Sequence, residues 1–201
     1  MHATRPRHCV TLLGLAALGV YLADQASKWW AVRALRADKS IDLLGSGWLG
    51  LELHFNPGAA FSFATGLTWV FAVVAIVVSL YIVRLAPRLR SRAWAVVLGL
   101  FLGGTLGNLT DRLVRPPGPL RGHVVDFIRY GDWFIGNVAD IALVLAAVGL
   151  AALALANIEP TGPQKTEAPT MSAAPDAAQA AQEDDGAQLP DAVGGQEEAT
   201  P

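Results

Sequence analysis

The sequence predicts an all-α membrane protein, with four transmembrane helices and a small extracytoplasmic β-sheet formed from the two outer loops. Three observations predict it. The 201 residues are 53% hydrophobic and only 16% charged, with a mean hydropathy of +0.39, too apolar for an ordinary soluble domain. Four apolar runs are long enough to cross a bilayer, which takes about 20 helical residues. The two polar loops that should share one face carry period-2 alternation and β-branched residues, the pattern of half-buried strands.

The expected spans are about 10–32, 68–85, 93–110 and 137–156, within a membrane-embedded body of residues 1–157. Before the first span lie Arg5, Arg7 and His8, so the opening alone has the charged-then-apolar order of a signal peptide. Apolar character resumes at Trp29-Trp30-Ala31-Val32, which makes the run long enough for a tilted span instead. Near its end Asp24 and Lys28 stand at i,i+4, acid first, the favourable order for an intrahelical pair. Two readings stay open: an interfacial pair whose lysine snorkels beside the tryptophans, or a brace for something polar at the membrane surface.

In the first outer loop Leu49, Leu51, Leu53 and Phe55 alternate with Gly50, Glu52, His54 and Asn56, and Pro57-Gly58 ends the run. The segment 59–63 (Ala59-Ala60-Phe61-Ser62-Phe63) then reads as small, apolar and close-packing. A strand beside a membrane needs a partner for its edge. The stretch 122–128 in the second outer loop, after the rigid Pro116-Pro117-Gly118-Pro119 turn, is the expected partner. The second span is almost without polar groups and reads as scaffold. Arg84, Arg88, Arg90 and Arg92 crowd a turn at Pro87, which predicts a cytoplasmic hairpin and places both termini in the cytoplasm. Gly99, Gly103 and Gly107 form overlapping G-x-x-x-G units, a stripe that lets another helix approach closely.

From residue 158 onward nine acids face Lys165 alone, amid Ala, Pro, Gln and Gly. That composition cannot bury enough apolar surface to order itself, so 158–201 is expected to be a disordered acidic cytoplasmic tail. Setting it aside leaves 14 Lys and Arg against 8 Asp and Glu, a basic membrane body.

The chemistry gathers at 99–140. Ionised carboxylates cost about 2.5–3.5 kcal/mol each at membrane depth, so a chain that keeps several beside its spans uses them. Gly107-Asn108-Leu109-Thr110-Asp111 recurs in form as Gly136-Asn137-Val138-Ala139-Asp140, and on a helix each Asn and Asp would share one face, predicted to line a reaction centre. Repetition by itself nominates Asp111 with Asp140 as an acid pair, while the neighbouring Arg112 argues that Asp111 is charge-paired. No metal and no cofactor is expected. The single cysteine, Cys9, makes no disulfide or metal cluster, and His54 and His123 lack ligand spacing. Ser27, Ser46, Ser62 and Ser79 have no base at a recognisable spacing, and no phosphate loop or nucleic-acid surface is present. Two other classes compete: a proton- or ion-translocating protein using Asp24, Asp111 and Asp140 as a relay, and an assembly subunit docking through the glycine stripe.

Five features in this order, within a four-span chain, resemble the bacterial lipoprotein signal peptidase family (signal peptidase II). They are Asp24-Gln25-Ala26-Ser27-Lys28, Asn56-Pro57-Gly58-Ala59-Ala60-Phe61, Gly107-Asn108-Leu109-Thr110-Asp111-Arg112, Val125-Asp126-Phe127 and Asn137-Val138-Ala139-Asp140. The likeness covers about residues 10–157. It implies an aspartyl endopeptidase of the bacterial inner membrane, its site near the outer face, and the chain is expected to be a monomer. The implied substrate is a prolipoprotein, cut just before a cysteine that carries diacylglycerol. By the same resemblance Asp126 and Asp140 are the catalytic pair, and Asp24, Lys28, Asn56, Gly104, Asn108, Asp111, Arg112 and Asn137 shape and brace the pocket. Two positions depart from the family pattern. Pro57 replaces a small polar residue and is expected to stiffen the Asn56 turn; Gly136 replaces an aromatic and is expected to loosen packing under Asn137.

Overall fold

Apolar runs placed in lipid have no water for their backbone groups, so they wind into helices that satisfy those groups internally. In a computed structural model, which describes residues 6–36, 38–58 and 68–161, four such helices are present. They are α1 (Pro6–Ala34), α2 (Thr68–Leu85), α3 (Arg92–Val114) and α4 (Val138–Leu155). The segment 59–63 and the part of the tail from 162 onward lie outside the described residues.

The helices α1 and α3 run past the expected spans. At 29 residues, about 43 Å long, α1 exceeds the ~30 Å hydrocarbon thickness and projects beyond it. The third helix continues to Val114, so Asp111 and Arg112 both lie within it. Ser91 starts it, its hydroxyl accepting from Trp94 N at 3.5 Å. Between α2 and α3 lies a short 3-10 turn, Ala86–Arg88, in the middle of the arginine cluster. Arg90 N donates to Pro160 O (2.9 Å) and Trp94 Nε1 to Ile158 O (2.6 Å), so the chain just after α4 is tied to this turn rather than leaving at 157.

The central helix is α3, packed against each of the other three. The glycine stripe explains how. A methyl added at Gly99 would stand 2.7 Å from Leu13 O, and one at Gly103 2.5 Å from Ala17 O; at Gly107 it would run into the Asp24 carboxylate. The stripe therefore lets the α1 backbone lie directly on α3. Gly104, one residue off the stripe, faces the other way, its missing methyl making room for Ala139 O of α4 at 2.7 Å. Close backbone approach on two sides is what small residues supply where lipid gives no hydrophobic drive between helices.

The outer loops form one four-stranded antiparallel sheet in the order β1 (Ile41–Asp42), β2 (Leu49–Asn56), β3 (Val124–Tyr130), β4 (Phe134–Gly136). Leu53, Val125 and Phe127 pack on Ala31 and Leu35 at the end of α1, which fastens the sheet to the bundle. The expected alternation in β2 breaks midway. Leu51 pairs with Ile128 but His54 with Asp126, so two residues of β2, Glu52 and Leu53, oppose Phe127 alone. One extra residue flips all that follow to the other face. Phe55 thereby moves opposite Val125, onto the other face from Asp126, and Asn56 comes onto the face of Asp126.

Candidate active site

Each acid of the candidate site is placed by a different local device. Asp126 sits in β3, between β2 and β4 in the sheet, and is 1% exposed. Asp140 is the third residue of α4, where a capping box closes the helix start: Asp140 N donates to Asn137 Oδ1 (3.0 Å) and Asn137 N to Asp140 Oδ2 (3.1 Å). The two Asn-x-x-Asp copies are thus not equivalent. Asn108 and Asp111 lie inside α3, whereas Asn137 is extended (φ −140°) and caps α4.

Four amide donors hold the two carboxyl groups, one on each oxygen. Asp126 Oδ1 accepts from Asn137 Nδ2 (2.6 Å) and its Oδ2 from Asn56 Nδ2 (2.9 Å). Asp140 Oδ1 accepts from Asn108 Nδ2 (2.9 Å) and its Oδ2 from Asn137 N. Asn137 therefore bridges the acids. The orienting amides are themselves fixed. Asn56 Oδ1 accepts from Gly58 N (2.7 Å), and Asn108 Oδ1 accepts from Lys28 Nζ (2.9 Å) and Asn137 Nδ2 (3.2 Å). Burial drives Asp126 upward to about 6, with the Asn56 bond opposing and the neighbouring Asp140 charge assisting.

Behind this pair lies a closed charge network. Lys28 Nζ stands 2.8 Å from Asp24 Oδ2 and 2.9 Å from Asp111 Oδ2, and all three side chains are fully buried. The lysine does not snorkel. Asp24 Oδ1 also accepts from Ala139 N (2.9 Å), tying α1 to the first turn of α4. Asp111 is charge-paired, though not by its neighbour Arg112. Its partners are Lys28 and, one turn on, Arg115 (Nε to Oδ1, 2.6 Å), because adjacent helical residues point apart. It is thus committed to cations and to Val125 N (3.3 Å), which leaves repetition without support as a guide to the acid pair.

Arg112 lies elsewhere in the site, its guanidinium 5.9 Å from the Phe71 ring and 3.4 Å from Asn108 O, with a buried Nε that no acceptor among the described residues meets. Gly104 leaves room for Ala139 O and the Leu143 side chain and acts through helix packing. Pro57 O accepts from Thr68 Oγ1 (2.6 Å), so the Asn56 turn is latched to the start of α2. At Gly136 no looseness results: the Phe134 ring fills the space, 2.5 Å from where a methyl would be, and Asn137 above it is 1% exposed.

Arg115 and Gln25 belong to the network and are not among the expected residues. Gln25 Nε2 donates to Asp24 Oδ2 (3.0 Å) and Gly107 O (3.1 Å). The i,i+4 spacing from Asp111 was the available signal for Arg115; for Gln25 it was only its place in the Asp24-Gln25-Ala26-Ser27-Lys28 feature. A cleft of about 410 Å³ opens beside Asp140, lined by Tyr130, Phe134, Asn137, Ile141, Val144 and Leu145. Acids that accept amide bonds on every oxygen, one of them holding its proton toward neutrality, beside an apolar cleft, are equipped for general acid and base chemistry on an apolar substrate. Among the described residues no three His, Cys, Asp or Glu are grouped to hold a metal ion.

Residues 16–156 match the family described as Signal peptidase (SPase) II. Among curated relatives, the lipoprotein signal peptidase of Rhodococcus jostii is 46% identical over 79% of this chain and 80% of its own. That of Streptomyces coelicolor is 42% identical over 79% and 78%. A solved bacterial membrane enzyme, determined by the in meso method at 2.3 Å, superposes with a TM-score of 0.63 at 25% identity, over 77% of this chain and 92% of that one.

Proposed function

The chain belongs to the signal peptidase II family, and on that premise we propose that it is an aspartyl endopeptidase that removes signal peptides from prolipoproteins. The substrate carries diacylglyceryl-cysteine, and the cut falls just before that residue. The single observation that carries the catalytic assignment is the bridge of Asn137 between Asp126 and Asp140. Two carboxyl groups held by one residue, Asp126 by its side-chain amide and Asp140 by its backbone N–H, cannot both ionise cheaply, so they share a proton. The ionised carboxylate takes a proton from water, and the protonated one hydrogen-bonds the scissile carbonyl. Water attacks to give a tetrahedral diol without an acyl-enzyme, and the proton passes to the leaving amine. Asn56, Asn108 and Asn137 hold the acids in register; Lys28, itself fixed by Asp24 and Asp111, holds the Asn108 amide. Arg112 offers its unmatched Nε to the substrate.

The enzyme is a multi-pass protein of the bacterial inner membrane. Its arginine turn at 84–92 faces the cytoplasm with both termini, by the positive-inside rule, and the site lies near the outer face, where water still arrives. It acts as a monomer among membrane lipids. A relay for protons would need polar groups through the bilayer depth, whereas residues 141–155 of α4 are apolar throughout.

The test is cleavage of a diacylglyceryl-modified prolipoprotein in liposomes by wild type, Asp126→Asn, Asp140→Asn and Asp111→Asn, with and without chelator. The Asp126 and Asp140 variants should each lose about 10²–10⁴ in rate, the contribution of a positioned acid or base. A folded Asp126→Asn that still cuts, beside a dead but folded Asp111→Asn, would overturn the pairing.

A further inference from the structure

We propose that the loop end of the sheet is a second membrane attachment: Leu43, Leu44, Trp48 and Trp133 seat in the interfacial layer of the bilayer that surrounds the helices. Trp133 is 87% exposed, Trp48 67% and Leu44 64%, although the sheet has a buried side against α1. The two tryptophan rings lie 6.4 Å apart, and Gly131 N donates to Trp48 O (2.8 Å), so two separate hairpin ends present one apolar tip. The tip is built to project. The Asp42 carboxylate accepts from Leu44 N (3.1 Å), Gly45 N (3.0 Å) and Gly47 N (2.8 Å), which closes the loop on itself and leaves the leucine side chains outside.

Position commits the tip to lipid. Trp133 stands five residues before α4, and β4 between them spans about 10 Å. Ile141, Val144 and Leu145 on the lipid face of α4 share a cleft with Tyr130 and Phe134, whose rings stack at 6.1 Å. The apolar surface of α4 therefore extends through these rings to the hairpin that carries Trp133. On the other side α1 leaves the bilayer with Trp29 and Trp30 exposed and Arg33 over the Trp29 ring at 3.8 Å, seven residues before β1. Short tethers at both ends hold the tip at headgroup level, where tryptophan with an apolar body and a polar N–H is favoured. Held there, β3 keeps Asp126 level with the first turn of α4.

The test uses the full chain in phosphatidylglycerol–phosphatidylcholine vesicles, with Trp133 as sole tryptophan (the other five replaced by Phe). Lipid brominated just below the glycerol should remove most of the Trp133 emission, while acrylamide in the water should quench it little. Strong acrylamide quenching with no effect of bromine would overturn the proposal. Protection from acrylamide without bromine quenching, growing with protein density, would also overturn it and give the surface to a second copy. Should the five-fold replacement not fold, Ser46→Cys carrying an environment-sensitive dye reads the same loop. A blue-shifted emission in vesicles supports seating, and an emission equal to that in water refutes it.

Discussion

Replacing Lys28 by Met tests whether the buried charge network holds the bundle together. The substitution keeps most of the stem volume and removes the ammonium, which lies within 2.9 Å of Asp24 Oδ2, Asp111 Oδ2 and Asn108 Oδ1. Asp111 keeps Arg115, but Asp24 is left buried with only neutral donors, Gln25 Nε2 and Ala139 N. Removing one partner of a buried ion pair costs about 3–5 kcal/mol, because the other charge stays uncompensated. For a chain of this size each kcal/mol lowers the melting midpoint by about 2–4 °C, so the drop should be about 6–20 °C. Thermal unfolding in detergent can be followed with a thiol-reactive dye, since Cys9 is the chain's one cysteine and is fully buried. Asp24→Asn added to Lys28→Met should recover part of the loss by removing the stranded charge. A Lys28→Met midpoint within about 2 °C of wild type, less than 1 kcal/mol, would refute the reasoning. So would a double variant less stable than the single one.

Three further outcomes follow from the geometry. Asp126 has its carboxyl raised from 3.8 to about 6, so its protonated form favours the folded state. That stabilisation, about 3 kcal/mol, is complete below pH 3.8 and lost as pH rises through about 6. Melting midpoints taken from pH 4 to 7 should fall more steeply for wild type than for Asp126→Asn, and equal slopes would contradict the assignment. Gly103→Ala forces a methyl onto Ala17 O and Val20 and should destabilise by about 1–3 kcal/mol, whereas Gly14→Ala meets nothing within 4 Å and should be neutral or slightly stabilising in the same melt. Asn137→Ala removes both the α4 cap and the bridge between the acids. It should lower stability by about 0.5–2 kcal/mol and abolish cleavage, a split that a purely structural cap would not give.

Composition and spacing by themselves determined that this is a four-span membrane protein with a small sheet, because apolar length and charge scarcity act on each segment independently of its neighbours. They also brought the polar residues to one end of the bundle, since acids near spans are tolerated only where they are matched. The partners were another matter. Asp111 could be read as charge-paired from Arg112, yet the cations that meet it are Lys28 from another helix and Arg115 one turn on. The glycine stripe announced a close approach but not that it faces α1, while Gly104 serves α4. Two copies of Asn-x-x-Asp looked alike, and only the start of α4 at Val138 turned the second into a capping box. The bulge in β2 decided most: a single unpaired residue moved Asn56 onto the face of Asp126, where regular alternation would have put Leu53 and Phe55. Local sequence carries the period of each element. The phase in which two elements meet is a property of their packing, and the placement of every donor around Asp126 and Asp140 depends on that phase.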